Sequence, residues 1–325
     1  MRFLLDTEQR AFAESLDAML TAADTPAVAR AWGRGEHGAG RALWSRIAEA
    51  GVFALAAPEA YEGVGPLPVE LAVAFVELGR HAVPGPLVET ATAAVLLAGL
   101  QDPGPAKRLL PALVSGEAMA TVAPSSGSYA LDGDAATTRL SYDSGTGELR
   151  LSPGHGPVRP SLDPARHPTP LSPGGELLAT NPPSLAPALT WARLAVAAQA
   201  LGVGLALLDR TVAYVRQRTQ FGVPIGSFQA VKHRLADAKV ALEFARPLVL
   251  GAAVTLDPAD VAAAKVTACE AAYTTARTAL QLHGAIGYTA ECDLSLWLTK
   301  ARALRTAWGS PAECRGTVLS GGRRR

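Results

Sequence analysis

Cysteine, lysine and aromatic residues are all scarce in this 325-residue chain. Cys269, Cys292 and Cys314 form an odd set, each more than 20 residues from the next and with no C-x-x-C pair. That excludes a disulfide framework and a cysteine-based zinc site, and it fits a reducing, cytoplasmic compartment. Aromatics account for 6% of residues against 49% hydrophobic overall, so small aliphatic side chains must fill the core. Excess charge of either sign is also missing: the formal net charge is +1, which favours neither nucleic acid nor an acidic surface as partner. Lysine stands only at 107, 232, 239, 265 and 300, and arginine takes its place elsewhere, the mark of a GC-rich genome rather than of a binding surface. No uninterrupted apolar run reaches membrane-spanning length, because Arg, Asp or Gln breaks each one, and the N-terminal M-R-F-L-L-D-T-E-Q-R has no signal-peptide apolar block. A membrane partner is therefore not expected.

What is present falls into three regions. Residues 1–114 are expected to be helical. Asp6 or Thr7 can cap a first helix, with Phe12, Leu16 and Met19 at helical spacing after it. A glycine-rich break covers Gly33 to Gly40, Gly51 can end the next helix, and Pro58 and Gly63 mark a turn. Further helices are expected over Pro68–Leu78 and Glu89–Leu100. Residues 115–186 turn to Gly, Pro, Ser, Asp and Thr, with strand-like runs at Ala118–Ala123, Thr138–Tyr142, Glu148–Leu151 and Glu176–Ala179. Seven prolines between 153 and 173 argue against regular sheet there, leaving a small eroded β-module or, alternatively, a disordered linker. Residues 187–325 return to helix. Leu194, Ala197, Leu201, Leu205, Leu208, Val212 and Val215 step by three and four, predicting one buried face. Helices from Gln229 to Leu250, from Asp257 to Gly284 and from Asp293 to Ala307 complete a four-helix bundle, with G-G-R-R-R as a solvated tail.

Two stretches in the last region carry chemistry. Arg218–Gln229, R-T-Q-F-G-V-P-I-G-S-F-Q, places a guanidinium fork, an aromatic and an amide around a Gly-Pro loop. A helix starting near Ser227 would aim its free N–H groups at an anion. Gln281–Tyr288, Q-L-H-G-A-I-G-Y, follows a helix and so is not a Rossmann fingerprint, but its glycines allow backbone to approach a pyrophosphate. Taken alone, each is also compatible with an ordinary loop between bundle helices.

Together these two stretches resemble the acyl-CoA dehydrogenase family, whose R-x-x-F-G-x-x-I-x-x-x-Q loop and Q-x-x-G-G-x-G segment meet the ADP half of FAD across a subunit interface. The resemblance covers nearly the whole chain: Pro58–Gly65 fits the family's N-terminal P-E-x-Y-x-G-x-G turn, and L-L-P-A-L-V-S-G-E-A from Leu109 its passage into the middle domain. It implies a mainly α fold with an N-terminal helical domain, a reduced middle β-domain and a C-terminal helical bundle. It makes Arg218, Phe221, Gln229, Gln281 and Gly284 the residues expected to contact FAD, with Ala285 a one-methyl departure at the second glycine. His283 fits a helix C-terminal role rather than catalysis.

The family's reaction removes an α-proton from an acyl thioester with a carboxylate while the flavin takes the β-hydride. The usual base lies two dozen residues beyond the first glycine of the second motif, and here that position is Trp308. Some members place it just before an arginine on the helix that opens the bundle, which here is Ala192. Glu291 is the remaining nominee, though a surface carboxylate near a helix start describes it equally well. The family's isoalloxazine segment is also eroded, to T-V-A-P-S-S-G-S-Y from Thr121, in a middle domain about a third shorter than the resemblance leads one to expect.

The resemblance therefore points to the small, base-lacking subunit of actinobacterial heterotetrameric (α2β2) acyl-CoA dehydrogenases, many of which act on steroid side-chain thioesters. The expected partners are an acyl-CoA thioester, a homologous catalytic subunit and an electron-transferring flavoprotein. Trp308 is expected to fill this chain's own acyl pocket. Two other readings fit the same residues: a self-sufficient homodimeric flavoenzyme in a biosynthetic pathway, and a flavin-free scaffold.

Overall fold

The computed structural model describes residues 4–123 and 127–321. The arginine tail from 322 lies outside the described residues. Helices, then strands, then helices follow one another along the chain, as the shifts in composition predict.

Six helices come first: α1 (Thr7–Thr21), α2 (Thr25–Gly33), α3 (Gly38–Glu49), α4 (Pro68–Arg80), α5 (Leu87–Ala98) and α6 (Gly104–Val114). Asp6 caps α1, accepting from the Gln9 backbone N–H at 2.8 Å while the Gln9 side chain accepts from the Asp6 N–H at 3.1 Å, a complete capping box. Gly51 sits at φ 82° just beyond α3, where the helix-ending glycine was expected.

Six strands follow: β1 (Ala120–Ala123), β2 (Ala130–Leu131), β3 (Thr138–Asp143), β4 (Glu148–Leu151), β5 (Pro168–Thr169) and β6 (Glu176–Thr180). Four form one sheet in the order β1-β3-β4-β6, parallel between β1 and β3 and antiparallel elsewhere. A disordered linker is thereby set aside. The proline-rich excursion is also less irregular than expected, because β5 pairs with β2 and His155 bridges Leu171. Proline lacks a donor but keeps its carbonyl: Pro168 and Pro170 accept from the N–H groups of Arg159 and Gly156, both at 2.8 Å.

The final region holds α7 (Leu185–Gln217), the hairpin strands β7 (Thr219–Gln220) and β8 (Val223–Pro224), α8 (Gln229–Thr255), α9 (Pro258–His283), α10 (Leu294–Leu304) and α11 (Pro311–Gly321). Three differences from expectation have physical causes. First, α7 is buried on all sides from Leu194 to Leu208 rather than on one face, because Ala, Gly and Val fill the positions between its larger apolar residues. It is also the one helix among the described residues long and apolar enough to cross a membrane, but 94% of that apolar window is buried inside the protein. Second, α8 passes through Pro247 and ends eight turns on from its start only at Leu256, a left-handed residue. Third, α11 joins the four bundle helices. Its signal is S-P-A-E at Ser310–Glu313: Ser310 N–H donates to Glu313 Oε2 at 2.6 Å, Glu313 N–H donates to Ser310 Oγ at 3.2 Å, and Pro311 occupies the first helical position.

Contacts divide the chain into two compact units. One comprises Met1–Pro26, Ala72–Ala82 and Arg193–Arg325, and its α9 packs against α8, α10 and α11. The other comprises Ala27–Leu71 and Val83–Ala192, where the Thr90 hydroxyl ties α5 to β1 through both the N–H and the carbonyl of Ala120, at 3.0 and 3.1 Å.

Candidate cofactor edge and the Trp308 loop

The Arg218–Gln229 stretch is a hairpin. Thr219 pairs with Pro224 and Gln220 with Val223, leaving Phe221 and Gly222 as a two-residue turn at φ 54° and 79°. Both turn residues at positive φ is the type I′ requirement; glycine meets it freely, whereas a bulky phenylalanine is held there at a cost of about 1–3 kcal/mol. Phe221 is 93% exposed, its ring edge-on to Phe228 at 6.2 Å. Arg218 follows α7 directly: its N–H donates to the Tyr214 carbonyl at 2.9 Å, and its carbonyl accepts from Ile225 N–H at 2.8 Å. The hairpin is thus anchored by backbone while the guanidinium stays exposed. A short 3₁₀ turn, Ile225–Ser227, leads to Gln229, the exposed first residue of α8. Phe228 at the cap has no side-chain acceptor, so first-turn N–H groups of α8 remain for an anion.

The second stretch lies at the same end of this unit, joined to the first by Tyr214, one turn before Arg218. Tyr214 stacks on His283, with centroids 4.1 Å apart, and its hydroxyl donates to the His283 carbonyl at 3.3 Å. His283 is buried, its Nδ1 2.8 Å from the Ala279 carbonyl, and burial lowers its basicity so that the ring is neutral. It therefore closes α9 structurally, as expected. Gly284 caps α9 at φ 64°, ψ −141°, a backbone region that only glycine enters freely, with open space where a Cβ would stand. Gln281, Gly284, Ala285, Ile286 and Tyr288 are all exposed, Tyr288 at 78%. A cation, two exposed aromatics, an uncapped helix start and an unobstructed glycine form a donor set that suits the phosphates and adenine of a dinucleotide. The apolar cavity of about 330 Å³ in the same unit is elsewhere, lined by Leu4, Val73, Val76, Glu77, Arg246 and Val249 and by none of these residues.

The positions expected for a base are occupied differently. Ala192 is fully buried within α7. The next residue, Arg193, donates from Nε to the Trp308 carbonyl at 3.1 Å. Trp308 is half-buried at φ 57°, in the loop between α10 and α11. Lys265, 1% exposed on α9, donates to the Gly309 carbonyl at 2.7 Å and reaches the Arg305 carbonyl at 3.5 Å. Sequence reasoning passed over both Arg193 and Lys265, since a lone lysine on an otherwise apolar stripe gives no local sign of which carbonyls it will meet. Cys269 lies nearby on α9, and burial pushes its thiol up to about 11, which makes it inert. Glu291 is exposed in the turn before α10. Of the eroded isoalloxazine segment, Pro124–Ser126 lie outside the described residues.

The N-terminal domain of acyl-CoA dehydrogenases matches residues 6–117 and the C-terminal domain residues 184–319. Over 310 residues the chain is 32% identical to the acyl-CoA dehydrogenase IpdE2 of Mycolicibacterium smegmatis, covering 95% of this chain and 97% of that protein. Among solved structures it is similar to a chain of the ChsE4–ChsE5 complex of Mycobacterium tuberculosis (25% identity, TM-score 0.84, 99% and 98% of the two chains) and to a chain of the Tcur3481–Tcur3483 steroid ACAD (25% identity, TM-score 0.84, 98% and 99%). The chain belongs to the acyl-CoA dehydrogenase family, whose cofactor is FAD.

Proposed function

We propose that this chain is the base-lacking subunit of a heteromeric acyl-CoA dehydrogenase and completes a flavin site on its partner. The carrying observation is an asymmetry in what the chain keeps: every residue fit to hold the ADP half of FAD is exposed, while Trp308 and Ala192 stand where a base is expected. Bound FAD supplies the hydride acceptor for α,β-dehydrogenation. Arg218 and the start of α8 would hold its phosphates, Phe221 and Tyr288 would offer aromatic faces to its adenine, and Gly284 would let backbone approach closely. The α-proton goes to a carboxylate of the partner subunit. Trp308 fills this chain's own acyl pocket, its carbonyl held by Arg193 and that of the next residue, Gly309, by Lys265.

An apolar stripe supports assembly. Val240, Phe244 and Leu248 recur every four residues on α8 and are 53%, 70% and 44% exposed, so one helical face lacks cover. The similarity to the ChsE4–ChsE5 complex and to a steroid ACAD supports a heteromer, here taken as a heterotetramer, and a steroid thioester as substrate. An electron-transferring flavoprotein as acceptor rests on the family resemblance alone.

The visible spectrum of the chain tests this, first expressed alone and then with the acyl-CoA dehydrogenase encoded beside it. The expected result is colourless alone and yellow together, at one FAD per pair of unlike chains. A full flavin complement in the lone homo-oligomer, reduced by an acyl thioester, would overturn the proposal in favour of a self-sufficient enzyme.

A further inference from the structure

Three polar side chains that the cofactor edge does not use converge in the β-containing unit. His37 precedes α3, Asp134 lies in the turn after β2, and His167 immediately precedes β5. His167 Nδ1 is 2.9 Å from Asp134 Oδ2, and His37 Nε2 is 3.5 Å from the same oxygen. All three potential ligand atoms lie within 4.8 Å of one another. Backbone holds the arrangement: Asp132 N–H donates to the His167 carbonyl at 2.8 Å, and His167 N–H donates to Asp132 Oδ1 at 2.9 Å. Trp32 packs on the His37 ring at 4.4 Å.

The cluster is incompletely satisfied. His37 Nε2 and Asp134 Oδ1 are buried atoms without a hydrogen-bond partner. Buried polar atoms usually find partners, so these two orphans, a few ångströms apart, call for a ligand.

From this geometry we infer a structural site for a divalent transition-metal ion of the zinc type, ligated by His37 Nε2, Asp134 and His167 Nδ1, with water completing the shell. Tetrahedral zinc bonds of about 2.0–2.1 Å place ligand atoms about 3.3 Å apart, a value the two measured separations straddle. Imidazole and carboxylate donors without thiolate suit zinc or cobalt(II), not a soft-metal site. His37 and Asp134 side chains retain 18% and 17% exposure, which leaves an entry path. Arg41 and Arg139 approach as well, but their guanidinium groups donate to the carbonyls of Ala135 and Gly133, at 2.8 and 2.7 Å. Their positive charge offsets the carboxylates and sets the affinity in the micromolar range rather than tighter. The site's role is to clip three distant chain segments together: the α2–α3 turn, the turn after β2 and the end of the proline-rich excursion. That excursion pairs through the two-residue β2–β5 ladder and a His155–Leu171 bridge.

The test uses the purified full chain, with its partner if they are isolated together, stripped by chelator. Zinc and cobalt(II) are titrated calorimetrically, and bound metal is counted by mass spectrometry. The expected result is one ion per chain at micromolar affinity, raising the thermal midpoint. His37→Ala and Asp134→Asn should weaken binding at least about tenfold with the far-ultraviolet circular dichroism unchanged. No saturable binding to the native chain below about 100 μM, or equal binding by both variants, would overturn the site and leave a metal-free His–Asp–His hydrogen-bonded network. Flavin content plays no part in this readout, so it fails or stands independently of the proposed subunit role.

Discussion

Two ends of the same helical unit differ in what they keep. At the Arg218–Tyr288 edge, the polar and aromatic groups face outward and the backbone is shaped to carry them: a positive-φ hairpin, an uncapped helix start and a glycine that closes α9. In the Trp308 loop the opposite holds. Buried Lys265 and half-buried Arg193 spend their hydrogen bonds on the loop's own carbonyls. On the proposed function, groups that serve a neighbour's cofactor are retained, and groups that would act on the chain's own substrate are replaced by packing. The difference locates the proposed function at an interface rather than inside the chain.

The sharpest way to break this comparison is Arg218→Ala in the co-expressed complex. Loss of a charge-assisted hydrogen bond to phosphate costs about 1.5–3 kcal/mol, or 10- to 100-fold in flavin affinity, read by FAD retained per complex. Unchanged flavin and turnover would leave only a scaffold. A middle-sized effect is expected from Lys265→Met, which leaves the Gly309 and Arg305 carbonyls unpaired. Urea unfolding should show a loss of about 2–3 kcal/mol while flavin content per folded complex stays constant. A flavin loss without a stability loss would mean that the Trp308 loop serves the cofactor after all. The smallest effect belongs to Glu291→Gln, for which turnover of the complex should stay near wild type. A fall of about 10²–10⁴-fold would identify Glu291 as the base and erase the contrast between the two ends.

Much of this was legible in the chain itself. Each of the four expected strands lies within two residues of its observed ends, and the capping of α1 by Asp6 and of α9 by Asp257 follows from local side-chain chemistry. What escaped was either non-local or a matter of degree. The burial of α7 on every side depends on what packs around it, which periodicity does not report. Lys265 and Gly309 meet across 44 residues, and the His37, Asp134 and His167 cluster joins segments with no common spacing. The α11 signal was different: S-P-A-E is a complete local start signature, passed over because the flanking tail is rich in glycine and arginine.

The Phe221 turn has a consequence for the cell. A bulky residue held in a left-handed conformation and almost wholly in water is a standing cost to the solitary chain, and covering the ring on assembly would lessen it. If the proposed partner covers both, an orphaned copy advertises itself, its aromatic tip and bare α8 stripe open to chaperones and proteases. Subunit balance could then be kept by clearance of the surplus, with no regulator beyond the surface itself.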